Sequence, residues 1–140
     1  MPIIHQHTLK EHDVEYNSNV FYLFIENEKR KGGDYVSTML RSVPNGLPMT
    51  LKRSGGSGID SYYDDDEYVP SIYALNIDLD NINGVLLHRA IVVIPDIMFH
   101  NDHFNMEFFD RKCPKFYQHF LTRFNHLKKH FAPKKLPDWM

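Results

Sequence analysis

The sequence predicts an α+β fold: a mostly antiparallel sheet, with a short helix after its first strand and a long C-terminal amphipathic helix packed on one face. Three observations lead there. Aromatic and β-branched residues gather in short runs bounded by turn-forming residues, an Asn-Gly pair (Asn83-Gly84) stands between two of those runs, and phenylalanines recur at helical spacing beyond Pro114.

The first run, "NVFYLFIE" (19–26), is apolar on both of its alternating sides and reads as a central strand. Gly32-Gly33 then breaks the chain, and Asp34 supplies an N-cap. Tyr35, Val36, Met39, Leu40 and Val43 follow at helical spacing until "PNG", so a short helix is expected over 35–43. "LPMTLKR" reads as a second strand. In "SIYALNIDL" (71–79), Tyr73, Leu75, Ile77 and Leu79 alternate with Ala74, Asn76 and Asp78, the pattern of a strand with one wet face. Asn83-Gly84 separates that run from "VLLHRAIVVI" (85–94), and Asn-Gly tolerates the positive φ angles of a hairpin turn, so the two runs are expected to pair. "HFNMEFF" from His103 reads as one more strand. From Pro114, which suits a first helical turn, Phe116, Phe120, Phe124, Leu127 and Phe131 recur at spacings of four, four, three and four, with Tyr117 and Leu121 on the margin of the stripe.

A chain of 140 residues fits one domain, 1–140, large enough to fold without disulfides or metal. Apolar residues make up 42% and aromatics 14%, well away from disordered composition. A formal charge of −2 makes nucleic acid an unfavoured partner, because non-specific phosphate binding needs a dominant basic face. The lone Cys113 cannot form an internal bridge and fits a reducing compartment. With no run long enough to span a membrane and no signal-like N-terminus, a cytoplasmic protein without membrane association is expected.

Two groups of residues carry chemical interest. His119, Arg123, His126 and His130 fall at spacings of four, three and four, a second stripe beside the phenylalanines. Imidazoles next to a cation, titrating near neutral pH, suit an anion such as phosphate or a partner's acidic patch; bordering the core with one wet edge is the plainer account. The segment 54–68 opens with "SGGSG" and continues "IDSYYDDDEY", and it is expected to be a mobile loop. It lacks the GxxxxGK[ST] order of a phosphate loop and the ligand alternation of an EF-hand. As a recognition loop, Tyr62 and Tyr63 would supply contact area while Asp64, Asp65 and Asp66 steer a partner that carries a basic patch. Histidines and acids also cluster at His5, His7, His12 and Asp13, and at His100, Asp102 and His103, but without a zinc-enzyme motif no metal site is assigned. Cys113, with no cysteine partner, reads as a small residue near a helix start.

"NVFYLFI", a helix ending "VSTMLRSVPNG", a strand, a glycine-bearing turn and a tyrosine-and-acid segment together resemble the first half of the phage S-adenosylmethionine lyases. Those are small trimeric enzymes that split S-adenosylmethionine into methylthioadenosine and homoserine lactone with a tyrosine and a glutamate. The resemblance implies catalytic roles for Glu67 and for Tyr62 or Tyr63. The residues themselves point rather to a small protein-binding factor of inhibitor or immunity type, phage or bacterial in style, docking through the acidic tyrosine loop, with no cofactor and with self-association left open.

Overall fold

The structure is a computed structural model that describes residues 3–9, 19–100 and 104–131. Four strands, β1 (Ile3–Gln6), β2 (Val20–Asn27), β3 (Gly46–Lys52) and β4 (Ile91–Pro95), form one sheet in the order β1-β4-β2-β3, and every neighbouring pair is parallel. Among the described residues four α-helices accompany them: α1 (Tyr35–Arg41), α2 (Tyr68–Leu87), α3 (Met106–Lys112) and α4 (Pro114–His130). No helix among the described residues is long and apolar enough to cross a membrane.

The mostly antiparallel sheet expected from the sequence is therefore corrected to an all-parallel one. The error lies in residues 68–94. "SIYALNIDL" is not a strand, and Asn83-Gly84 is not a turn but part of α2. The buried residues of α2, Ser71, Leu75, Asp78, Leu79, Ile82 and Leu86, follow helical spacing, whereas Tyr73 and Ile77, which produced the alternation, are exposed apolar residues on the opposite side. A capping box precedes the helix: the Asp64 side chain accepts from the Glu67 backbone, and Glu67 Oε1 accepts from Asp64 N at 2.8 Å. The strand that follows is shorter than expected and begins after Arg89, whose φ of 64° turns the chain out of the helix. "HFNMEFF" is likewise helical: Asn105 Oδ1 accepts from Phe108 N at 3.1 Å and caps α3. The first strand, α1, the "LPMTLKR" strand and α4 form where the sequence places them.

Alternation along the strands sends their side chains to two cores. Leu23, Ile25, Val92 and Ile94 pack with α2, α3 and α4, while Tyr22, Phe24 and Val93 pack with Leu9 and with Val36 and Leu40 of α1. Right-handed crossovers account for the split. The β2-α1-β3 unit moves one way across the sheet and β3-α2-β4 moves back, so their helices lie on opposite faces.

Two polar contacts hold the layers in place. Arg41 of α1 donates from Nε to Glu26 Oε2 at 2.7 Å, a buried carboxylate at the end of β2. On the other face, Asp78 of α2 accepts from the backbone N–H of Thr50 at 2.7 Å. β3 is an edge strand, and its outward positions include Pro48, which has no N–H, and Thr50, whose N–H Asp78 takes; the edge is thereby closed to further pairing. Burial holds the Asp78 carboxyl above the ordinary carboxylate range, while hydrogen bonds from Thr50 pull it down.

Asp78→Ala should cost about 1–3 kcal/mol in urea unfolding, the penalty of leaving a buried donor unpaired, whereas Asp78→Asn, which keeps an acceptor, should cost much less. The folded state holds the Asp78 proton more tightly than the unfolded chain does. Its contribution to stability therefore falls as pH rises from the ordinary carboxylate value through the raised one, and the asparagine variant should lose that slope.

Candidate functional site

α4 begins at Pro114, and its phenylalanine stripe, Phe116, Phe120 and Phe124 with Leu127, is buried against the sheet. At 3.6 residues per turn this leaves His119, Arg123, His126 and His130 on one flank. α2 lies along that flank and runs parallel to α4. Lys115 N donates to Asp65 Oδ1 at 3.3 Å near the start of the pair, Arg123 NH1 donates to Asn76 Oδ1 at 3.0 Å further on, and Arg123 NH2 stands 3.8 Å from Asp80 Oδ1. Asn76, Asp80 and Asn83 of α2, at spacings of four and three, thus oppose the histidine and arginine ladder of α4. Between them runs a groove of about 240 Å³, floored by Leu79 and Leu127 and walled by Asp80, Asn83, Arg123, His126 and His130.

His119 closes the upper end. Its Nε2 lies 3.0 Å from Asn76 Oδ1, the same oxygen that accepts from Arg123. A carbonyl oxygen only accepts, so His119 carries its proton on Nε2, with the edge of its ring 6.5 Å from Tyr68 between centroids. Burial, and then the charge of Arg123, push its pKa below the ordinary imidazole value and keep it neutral. The His126 and His130 rings stack 6.5 Å apart.

The acidic segment is placed differently from expectation. Tyr62 and Tyr63 are each 1% exposed and belong to the core. Tyr62 packs on Phe104, Phe108 and Phe109, its hydroxyl accepts from Asn105 N at 2.7 Å, and Lys52 Nζ lies 4.9 Å above its ring. The Tyr63 hydroxyl is buried without a hydrogen-bond partner among the described residues, and burial drives its pKa upward. Both tyrosines are thus corrected from surface anchors to core residues. The carboxylates serve the start of α2: Arg53 NH1 lies 3.2 Å from Glu67 and 3.6 Å from Asp64, and Lys112 Nζ lies 2.8 Å from Asp64. The hydrogen bond from Lys112 draws the Asp64 carboxyl below its usual range. Asp65 accepts from Lys115 N, and Asp66 remains exposed. Asp64, Asp66 and Glu67 each bring an oxygen within 4.8 Å of the others, but Arg53 and Lys112 already balance two of the three.

Elsewhere, His5 Nδ1 lies 2.7 Å from Asp96 Oδ1 and the His7 and His100 rings meet edge to face at 5.8 Å. His12, Asp13, Asp102 and His103 lie outside the described residues. Cys113 is buried, donates to Phe109 O at 3.4 Å and has its thiol pushed up to about 12 by burial, which keeps it protonated and unreactive. Sequence reasoning missed Asn76, assigned to a strand, Asn83, assigned to a turn, and Asp80 between them; their spacing of four and three was the signal.

Residues 4–129 match a family model described as a family of unknown function (DUF7831), and the chain belongs to that family. No curated protein and no solved structure matches it.

Because His119 is held neutral, the unfolded chain takes up its proton first on acidification, and the stability linked to His119 is lost as pH falls through the ordinary imidazole value of about 6.5. His119→Gln keeps a donor for Asn76 and should flatten the decline in unfolding free energy between about pH 7 and 5. An NMR titration placing His119 at or above the ordinary value would contradict the assignment.

Proposed function

We propose that this chain is a non-catalytic protein-binding factor whose docking element is the α2–α4 groove, where Arg123, His126 and His130 take an anionic group, a carboxylate or phosphate, presented by a partner protein. The observation that supports this reading is the setting of Arg123. Its guanidinium is oriented by Asn76, yet its side chain is 40% exposed and its one carboxylate neighbour among the described residues, Asp80, is 78% exposed and 3.8 Å away. A loose, solvated ion pair of that kind contributes little, so an incoming anion can replace it, while the hydrogen bond to Asn76 keeps the fork aimed.

At the far end of α2 the carboxylates of Asp60 and Asp66 face water and are available to a basic patch on the same partner, where they would act through steering more than through contact. The buried lone thiol of Cys113 suits a protein of the reducing cytoplasm. The lyase reading has less support, because Tyr62 and Tyr63 are buried and Glu67 closes a helix cap and pairs with Arg53.

Inorganic phosphate and an acidic phosphopeptide, titrated separately into isotope-labelled protein, should shift the Arg123, His126 and His130 resonances saturably. Arg123→Gln should weaken binding about tenfold or more, the loss expected for charge-assisted hydrogen bonds worth ~1.5–3 kcal/mol. Equal binding by the variant, or shifts confined to 60–67, would overturn the reading.

A further inference from the structure

α2 is apolar on two sides. One side is buried in the core; on the other, Val69 is 71% exposed, Tyr73 70%, Ile77 47% and Leu87 61%. At 3.6 residues per turn these four lie within about 80° of one another and form a stripe along the whole helix. Gly84 falls on the same stripe. Glycine weakens a helix, and a Cβ at this position would meet nothing within 4 Å among the described residues, so packing against them does not require it. What it leaves is space: Gly84, with Asn81, Val85 and His88, lines a cavity of about 430 Å³ that opens beside the stripe.

We propose that α2 packs antiparallel against α2 of a second copy of this chain, about a two-fold axis midway between Ile77 and Asp80, with Tyr73 of each protomer filling the cavity over Gly84 of the other. The occupant is a second copy because one helix carries both halves of every contact. An antiparallel pair with that centre sets Tyr73 opposite Gly84 and Val69 opposite Leu87 to within one residue, and it brings Ile77 close to its own symmetry mate. Charge follows the same symmetry. Asp65 and Asp66 stand at one end of α2 and the exposed His88 and Arg89 at the other, so each acidic end meets a basic one, and the two helix dipoles oppose favourably. Asp80 and Asn81 at the cavity rim offer acceptors to the incoming phenol O–H. The stripe lies beside the α2–α4 groove, which it borders at Asp80, and does not include Arg123, so the Arg123 and Tyr73 variants separate this association from anion binding.

Sedimentation velocity over a concentration series tests it. The full chain should show a monomer–dimer equilibrium. Tyr73→Ala and Gly84→Gln should each weaken association at least tenfold while leaving far-ultraviolet circular dichroism unchanged. Asp66→Arg and Arg89→Asp should each weaken it, and the two together should restore it; Arg89 has a positive φ, which aspartate tolerates. Arg123→Gln should leave the dimer intact, so a failed groove and a failed interface are read separately. A chain that stays monomeric to millimolar concentration, or a dimer indifferent to Tyr73→Ala, would overturn the proposal.

Discussion

Every neighbouring pair of strands runs the same way, so the connections from β2 to β3 and from β3 to β4 have to return over a face of the sheet before the next strand can begin. That constraint shapes the molecule. The connection from β3 to β4 must pass over β2 on the face opposite α1, and the twenty residues of α2 make that passage. Asp78 anchors the helix to the edge strand through Thr50, and α4 then fills the space beside it. The groove with Arg123 and the exposed stripe with Tyr73 are both consequences of where this one helix has to lie.

The same passage consumes the charge between β3 and α2. A long helix starting at the sheet's end presents a partial positive charge at its first turn, and the capping box of Asp64 and Glu67, in the short turn that leads into it, sets two carboxylates there. Arg53 and Lys112 then neutralise them from the neighbouring strand end and from α3. Asp64 and Glu67 thus read as part of a docking surface only until the helix that follows them is in view. Tyr62 and Tyr63, immediately before, become the aromatic plug between α3, α4 and the sheet.

The carboxyl ends of parallel strands are where ligands usually bind. Here the ends of β2 and β3 are occupied by the chain itself. A Cβ on Gly55 would come within 2.4 Å of Lys31 O and 2.7 Å of Gly33 N, so the two glycine-bearing loops lie directly against each other and only glycine fits. Lys52 is buried beneath them, donating to Gly56 O at 2.5 Å, and burial lowers its pKa against the pull of Asp34. With that end filled, the solvent-facing chemistry lies in the helical layer, where Asn76 orients Arg123.

By itself the sequence determined the elements whose pattern admits one period. β2 is apolar on both sides, α1 has Asp34 and a helical repeat, and the phenylalanines of α4 carry the histidine stripe on their flank at whatever angle the helix packs. Residues 71–87 admit two periods, because the exposed face of α2 is as apolar as a strand's; local propensity cannot separate them, and Asn83-Gly84 inside a helix misleads in the same direction. Only tertiary structure decides there. The parallel direction of β4 beside β2 demands a long crossover, the core accepts Leu75, Leu79, Ile82 and Leu86 together, and Asp78 reaches Thr50 only from a helix. The partners of Arg123 lay on that undecided helix, so the ladder was legible from one side and the groove from neither.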